Sequence, residues 1–388
     1  MEFYLHGSHI GNEKHIHYNG KINWTDIIPD NSLSFDELKI ALYLSGKPID
    51  IQPPDNWLKS MRSLTLQEKL PWHKIMPHDQ YEEFVEKSVN KIQEALKDNH
   101  LSYYKNVFNK ASHVLDLLKP AKIHKKKFNF LIGKNIAGIN ESVIRSFEPN
   151  EKGYANGVIY DQLSSLSGRF TVKSGPQILL LNKELKSIIR SRHKSGGIYS
   201  FDYVSLEPRI ALMLSGKVPS YDIYSEINEE IFSGSLTRDA VKLACLSVLY
   251  GSGADNLHKG TGISLSECRN IILPQIKKYF DIHNISRKLV NTFKKYGLIW
   301  NYFGRAIYPK DGASYKLYNH YIQSTAVDAA LLGFYNILIN LPELIPLFVI
   351  HDNIIFDLEN EDLIEKIKEH GSKIYKFENE LPLECCKI

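Results

Sequence analysis

At 388 residues the chain is long enough to bury a large core and longer than one usual domain. Its 43% hydrophobic and 24% charged residues are ordinary for a soluble globular protein; no run of about 18 apolar residues offers a membrane span, and the N-terminus lacks a signal-peptide pattern. The net charge of +4 selects no partner, and the four cysteines (Cys245, Cys268, Cys385, Cys386) have neither metal-ligand spacing nor a disulfide framework, which points to a reducing, intracellular setting.

In chain order, residues 1–30 alternate apolar and polar around Gly7, Gly11 and Gly20 and read as a small strand-rich element. Ser34 opens a short helix to about Ser45, with Asp36 and Glu37 in its first turn. After Pro53-Pro54, residues 55–118 read as two or three long helices, with Val85, Val89, Ile92 and Leu96 at helical spacing. A basic connector (119–134) leads to strands near 156–172 and 197–204. Residues 221–300 are helical to Gly297, followed by a hairpin at 298–308, a helix at about 314–340, and strands at 346–358 split by a tight turn. Helices, strands, helices and strands in that order describe an α+β protein built of subdomains.

Charge is unevenly spread. Lys119, Lys122, Lys125, Lys126, Lys127 and Lys134 crowd one stretch and Lys186, Arg190, Arg192 and Lys194 another, while 357–369 is mostly acidic with interspersed lysines. Alone, such runs are solvated faces; beside a phosphate-handling site they read as a nucleic-acid footprint.

Three distant segments suit one active site: Phe201-Asp202-Tyr203-Val204-Ser205-Leu206-Glu207-Pro208-Arg209, then Arg238-x-x-x-Lys242 with Tyr250-Gly251, then Ile350-His351-Asp352-Asn353. Asp202 and Asp352 each end an apolar, strand-like run, so paired strands would bring them together. Two carboxylates can hold metal ions roughly 3.5–4 Å apart for phosphoryl transfer, whereas a single Asp after a strand equally suits a turn or cap. On a helix from about Ser235 to Tyr250, with Thr237 as N-cap, the residues Arg238, Lys242, Leu246 and Tyr250 recur every four positions as one stripe. A triphosphate could lie along that stripe, and Gly251 would admit another chain closely; the bland alternative is a solvent-facing amphipathic helix. Arg169, in Ser167-Gly168-Arg169-Phe170-Thr171, and the amides of Asn319 and Gln323 could read minor-groove acceptors common to all base pairs, or serve as structural pairs and caps.

In this order the segments resemble the motifs of family A (bacterial Pol I-like) DNA polymerases. The carriers are Asp202 to Arg209, the Arg238-Lys242-Tyr250-Gly251 series, His351-Asp352-Asn353, Ser167 to Val172, Asn319-x-x-x-Gln323, and Gly304-Arg305-x-x-Tyr308-Pro309. The resemblance covers roughly 150–388 and more faintly 55–150. It implies a right-hand fold with an antiparallel palm sheet: a small N-terminal element of unknown role (1–54), a thumb (55–135), a palm in two parts (136–220 and 298–388) and fingers (221–297).

It also implies roles. Asp202, Asp352 and the main chain at Tyr203 would hold two magnesium ions, with manganese an alternative. Arg238, Lys242, Leu246, Tyr250, Glu207 and Tyr224 would bind a deoxynucleoside triphosphate, Lys242 also protonating pyrophosphate and Glu207 with Tyr250 crowding the sugar 2′ position. Arg169, Asn319, Gln323, His351 and Gly251 would touch primer–template DNA. The implied enzyme is an intracellular, phage- or plasmid-type DNA polymerase, with a separate exonuclease or replication proteins as further partners. Only about fifty residues precede the thumb, so no 3′–5′ exonuclease is expected in this chain.

Four positions depart from the pattern. Asn353 stands where the family has a third carboxylate, Leu246 where it usually has Phe or Tyr, Tyr224 where it commonly has His, and Pro208 where it has an apolar residue. Two rivals follow. A single-subunit RNA polymerase or primase shares the palm and fingers motifs, but Glu207 would crowd a ribose. A catalytically weak subunit that only binds primer–template would explain Asn353 but not the retained Asp202, Asp352, Arg238 and Lys242.

Overall fold

The computed structural model describes residues 2–28, 33–63, 71–97, 101–133 and 141–388; Lys134 of the first basic run lies outside them. Contacts divide the chain into two compact units, Met1–Asn106 with Gly304–Ala306, and Val107–Phe303 with Ile307–Ile388.

The first unit opens with β1 (Phe3–Leu5), a short helix α1 (Gly7–Ile10), β2 (His15–Tyr18), β3 (Ile22–Thr25) and β4 (Leu33–Ser34), in sheet order β3-β2-β1-β4. Phe3 and Leu5 alternate inward and are fully buried, as period-two patterning requires. Helix α2 (Phe35–Ser45) begins where Ser34 forms a capping box: its hydroxyl accepts from the Glu37 amide, and the Glu37 carboxylate accepts from the Ser34 amide. Among the described residues of the expected long helices only α4 (His78–Leu96) is long; α3 (Asp55–Ser63) precedes it, and Pro71 and Pro77 lie between them. Val85, Val89 and Ile92 of the α4 stripe are buried.

In the second unit α5 (Asn109–Asp116) packs on the long helix α15 described below. The expected basic connector is instead a strand, β5 (Lys122–Ile123), and a helix, α6 (Lys125–Gly133), whose Phe128 is buried while its lysines stay outside. After α7 (Glu141–Arg145), β6 (Ile159–Asp161) and β7 (Thr171–Ser174) form a ladder, and β8 (Ile189–Arg190) pairs with β5 so that Lys122 faces Arg190. Strand β9 (Gly197–Tyr203) leads into α8 (Leu206–Leu214) and an all-helical stretch: α9 (Ile223–Phe232), α10 (Arg238–Leu249), α11 (Ala254–Thr261), α12 (Leu265–Glu267), α13 (Leu273–Tyr279) and α14 (Ile282–Tyr296). These close over one core that includes Ile227, Val241, Cys245 and Phe280, and α14 stops at Gly297, whose φ of 70° suits a residue without Cβ. Strands β10 (Ile299–Trp300) and β11 (Ala306–Ile307) precede α15 (Ser314–Asn340), β12 (Ile345–Ile350) and β13 (Asn353–Leu358); α16 (Ile364–Ser372) and β14 (Leu383–Lys387), neither anticipated from sequence, end the described chain.

The main sheet has order β12-β13-β9-β14 and every neighbouring pair is antiparallel. On one face Phe201 and Tyr203 are buried, with Tyr203 against Phe334 of α15; on the other, Ile198 and Ile355 pack with Phe147, Ile178 and Ile188, leaving the end of that face that carries Asp202 open. Contrary to the expectation that no stretch could span a membrane, α15 is long and apolar enough by length and hydropathy, yet 78% of its apolar window is buried in protein. It touches α5, α8, α14 and α16, which makes it the central core helix.

Gly333 fixes the crossing of α15 with the sheet. A Cβ there would lie 1.7 Å from the Tyr203 hydroxyl and 2.7 Å from the Gly371 carbonyl oxygen, and that hydroxyl donates to that oxygen at 2.6 Å. Gly333→Ala should therefore destabilise the protein by about 1–3 kcal/mol, read as a lower denaturant midpoint at unchanged slope.

Candidate active site

A cleft of about 520 Å³ opens where the polar end of the β9 face meets α8 and α10. Its walls include Asp202, Tyr203, Glu207, Arg169, His351 and Asp352, together with Tyr224, Arg238, Lys242, Leu246 and Tyr250.

Backbone pairing positions the carboxylates. Asp202 is the penultimate residue of β9 and sits opposite Asn353, the first residue of β13, while Asp352 belongs to the two-residue turn between β12 and β13. The Tyr203 amide donates to the Asp352 carbonyl oxygen at 3.2 Å, which ties the two acidic segments directly. Left-handed backbone flanks both: Ser205 has φ 51° and His351 φ 55°, unusual for residues with a Cβ and concentrated where the chain must turn sharply.

Asp202 opens to solvent at the cleft mouth but is walled by protein on its other sides. Burial first, then the charge of Asp352, push its carboxyl up to about 6, against the opposing pull of the Asn353 amide and Lys242. Burial also raises Asp352, opposed by the charges of His351, Arg169 and Lys242. Burial and Arg169 hold His351 below the ordinary histidine value, favouring a neutral ring. Asn353 donates through Nδ2 to the Ser200 hydroxyl at 2.6 Å, and its buried Oδ1 has no hydrogen-bond partner among the described residues.

Two raised carboxyls and an orphaned amide oxygen form an oxygen-only donor set short of positive charge. That set suits a hard divalent cation. The side chain of Tyr203 is excluded from it: the ring is 3% exposed and its hydroxyl points away to Gly371, so only the main chain of that residue can serve.

Helix α10 supplies the cationic wall. Thr237 caps it by accepting from the Ala240 amide at 3.3 Å, while Val241, Ala244 and Val248 bury the opposite face. Arg238, Lys242, Leu246 and Tyr250 thereby line the cleft one turn after another. Arg238 pairs with Asp222 at 3.1 Å and lies 5.3 Å over the ring of Tyr224. Tyr224 is only 1% exposed, so it lies beneath Arg238 and offers the cleft no broad surface of its own.

Glu207 joins two walls. Its Oε1 accepts from Arg169 at 2.6 Å and its Oε2 from the Tyr250 hydroxyl at 2.6 Å, so Arg169 is engaged within the protein. Arg209 donates to the carbonyls of Val204, Ser220 and Tyr221 and staples the turn after β9; sequence reading quoted this residue without a role.

The remaining expected DNA contacts are not gathered in the cleft. Asn319 and Gln323 lie on α15 two turns and one turn, respectively, from Ala326 and Val327, which do line it, so their stripe leads into the cleft at helical spacing. Gly251 (φ 81°) is approached by the protein itself: a Cβ there would lie 2.5 Å from the Tyr315 ring. Glu384 of β14 also lines the cleft and went unnoticed in the sequence.

The Asp202 shift has a signed consequence. Its value of about 6 in the fold lies above the 3.8 of a free Asp side chain, so the native state loses stability as pH rises from about 4 through 6, and the cost is fully present above that range. In metal-free buffer Asp202→Asn should melt higher than wild type at pH 7.5, with the gap closing toward pH 4, and added divalent metal should favour wild type selectively. Melting curves across that range in chelator check both signs.

The family model described as DNA polymerase family A matches residues 161–386. A curated relative, the DNA polymerase of Mycobacterium phage D29, is 29% identical over 141 residues, which make up 33% of this chain and 23% of that protein. The chain thus spans less than a quarter of that relative's length. Among solved structures, the POL domain of Pol1 from M. smegmatis, in complex with DNA primer-template and dNTP, aligns with a TM-score of 0.60 at 15% identity, covering 92% of this chain and 81% of that one. The likeness establishes a shared right-hand polymerase fold.

Proposed function

The chain belongs to DNA polymerase family A, and from that premise we propose that it is a template-directed DNA polymerase that adds deoxynucleotides to a primer 3′ end. The observation that carries this reading is the cleft in which a carboxylate on β9 and one in the adjoining β12–β13 turn face the cations of one helix. The relatives named above, a phage DNA polymerase and a polymerase domain bound to primer-template and dNTP, support it.

Asp202 and Asp352 would hold two magnesium ions, with Asn353 Oδ1 and the Tyr203 main chain as neutral oxygen donors. Ions held by these residues would supply activation of the primer hydroxyl and stabilisation of the leaving oxygen. Arg238 and Lys242 neutralise the phosphates, and Lys242, exposed beside them, delivers a proton to pyrophosphate. Tyr224 keeps Arg238 aimed from below, and Leu246 gives the nucleotide an apolar surface. Glu207, fixed between Arg169 and Tyr250, occupies the space a 2′-hydroxyl needs.

Arg169 and His351 in the cleft, with Asn319 and Gln323 further along α15, would face the duplex, and Gly251 lets α10 end against Tyr315. The subdomains would be a palm on the four-stranded sheet (136–220 and 298–388), fingers at 221–297 and a thumb at 55–135, with 1–54 left without a role. A phage relative suits an intracellular replication enzyme.

Magnesium-dependent primer extension by the purified chain tests the reading. Asp202→Ala and Asp352→Ala should each lower the rate at least about 100-fold while primer–template binding persists; extension unchanged by both substitutions refutes it. Glu207→Ala should raise ribonucleotide use about 10- to 100-fold, and efficient ribonucleotide use by the wild type would instead favour an RNA polymerase.

The basic runs belong to the same proposal. The β5–β8 ladder sets Lys122 opposite Arg190, while Arg192 is engaged with buried Asp357 at 3.0 Å. Replacing Lys122 and Arg190 together with Gln should weaken primer–template binding and flatten the plot of log affinity against log salt by about 2 in slope. Equal slopes for variant and wild type would leave this face outside the DNA footprint.

A further inference from the structure

We propose that Glu384 is the third carboxylate of the metal centre, restoring from the edge strand β14 the negative charge that Asn353 leaves out on β13. The inference rests on the polymerase reading above and adds a residue that no motif contains.

Asp202 on β9 has two directly opposed neighbours, Asn353 on β13 and Glu384 on β14. Directly opposed residues in antiparallel strands project from the same face with Cβ atoms about 4.5–5.5 Å apart. The three side chains therefore form one row across the open end of the sheet, amide, carboxylate, carboxylate, and the two acids line the cleft with Asp352. The neighbours of Glu384 are otherwise disposed: Leu383 is buried on the opposite face.

The chemistry of the row is asymmetric. Asn353 donates through its amide to the Ser200 hydroxyl and toward Asp202, and it adds only a neutral oxygen where a carboxylate would add charge. Glu384 forms no ion pair among the described residues, although β14 also carries Lys387, which pairs with Glu361 instead. Its charge is felt at Asp202 on one side and at Arg238 on the other, so it stands between the metal-binding end and the cationic wall.

Among the described residues no three His, Cys, Asp or Glu groups are close enough to hold one ion directly. Glu384 is accordingly a positioning residue, reaching the ion at Asp202 through a coordinated water. Magnesium and manganese sites keep several waters, and outer partners of this kind matter about 10- to 100-fold for affinity. The competing reading is an ordinary edge-strand glutamate that discourages sheet-to-sheet pairing. That role would leave metal affinity untouched.

The test is manganese binding by the full chain with a dideoxy-terminated primer–template and a dNTP, followed by electron paramagnetic resonance, alongside thermal melting as a folding control. Glu384→Gln should bind manganese about 10-fold more weakly at an unchanged melting temperature, and Glu384→Asp should keep most of the affinity. Adding Asn353→Glu to Glu384→Gln should recover binding by moving the charge across Asp202. Wild-type manganese affinity in Glu384→Gln, while Asp202→Asn loses it, overturns the inference alone. So does a change confined to the dNTP KM, which would assign Glu384 to Arg238. If Asp202→Asn and Asp352→Asn also bind manganese like wild type, the metal-site reading itself falls.

Discussion

The register between β9 and β13 is the constraint on which the cleft depends. It sets Asp202 against Asn353 and carries Asp352 into the turn immediately before, with the Tyr203 amide bonded to the Asp352 carbonyl. Because side chains alternate, a slip of one residue would send Asp202 into the core and bring Phe201 to the cleft. The apolar partners prevent that slip: Phe201 and Phe356 meet at 5.7 Å on the buried face, and Ile198 and Ile355 are sealed on the other. Hydrophobic packing thus holds two like charges near each other, and the same burial raises the carboxyls of both.

The second wall is built on the opposite logic. Where the sheet gathers negative charge, α10 spaces positive charge along one face, and its inward residues anchor it in a separate core. Glu207 is the junction, since it accepts from Arg169 and from Tyr250 at once. A carboxylate with both oxygens occupied has a fixed position, and the steric role proposed for Glu207 depends on that.

Much of this was legible in the residues. The α10 stripe needs only a period of four, and the capping Thr237 marks its start. The paired-strand argument for Asp202 and Asp352 needs only apolar runs that end in acids. What stayed hidden depends on cross-strand neighbours. Glu384 lies in Leu-Glu-Cys-Cys-Lys, which lacks strand alternation and a turn signal, so β14 and its register were invisible. The basic run 119–134 concealed a helix because its lysines dominate the composition while Phe128 alone marks the buried face. Gly251, read as room for another chain, is filled by Tyr315, a contact across helices that no local pattern encodes.

Gly333 has a wider meaning than local packing. Its missing Cβ, the Tyr203 hydroxyl and the Gly371 carbonyl share one small volume, joining α15, β9 and α16. Tyr203 is the chain neighbour of Asp202, so this knot stops the acidic strand from sliding along the helix. Drift at any one of the three positions would have to be matched at the others, and in a set of descendants they should change together or not at all. An evolutionary signature at positions 203, 333 and 371 would then record a mechanical lock rather than a chemical role.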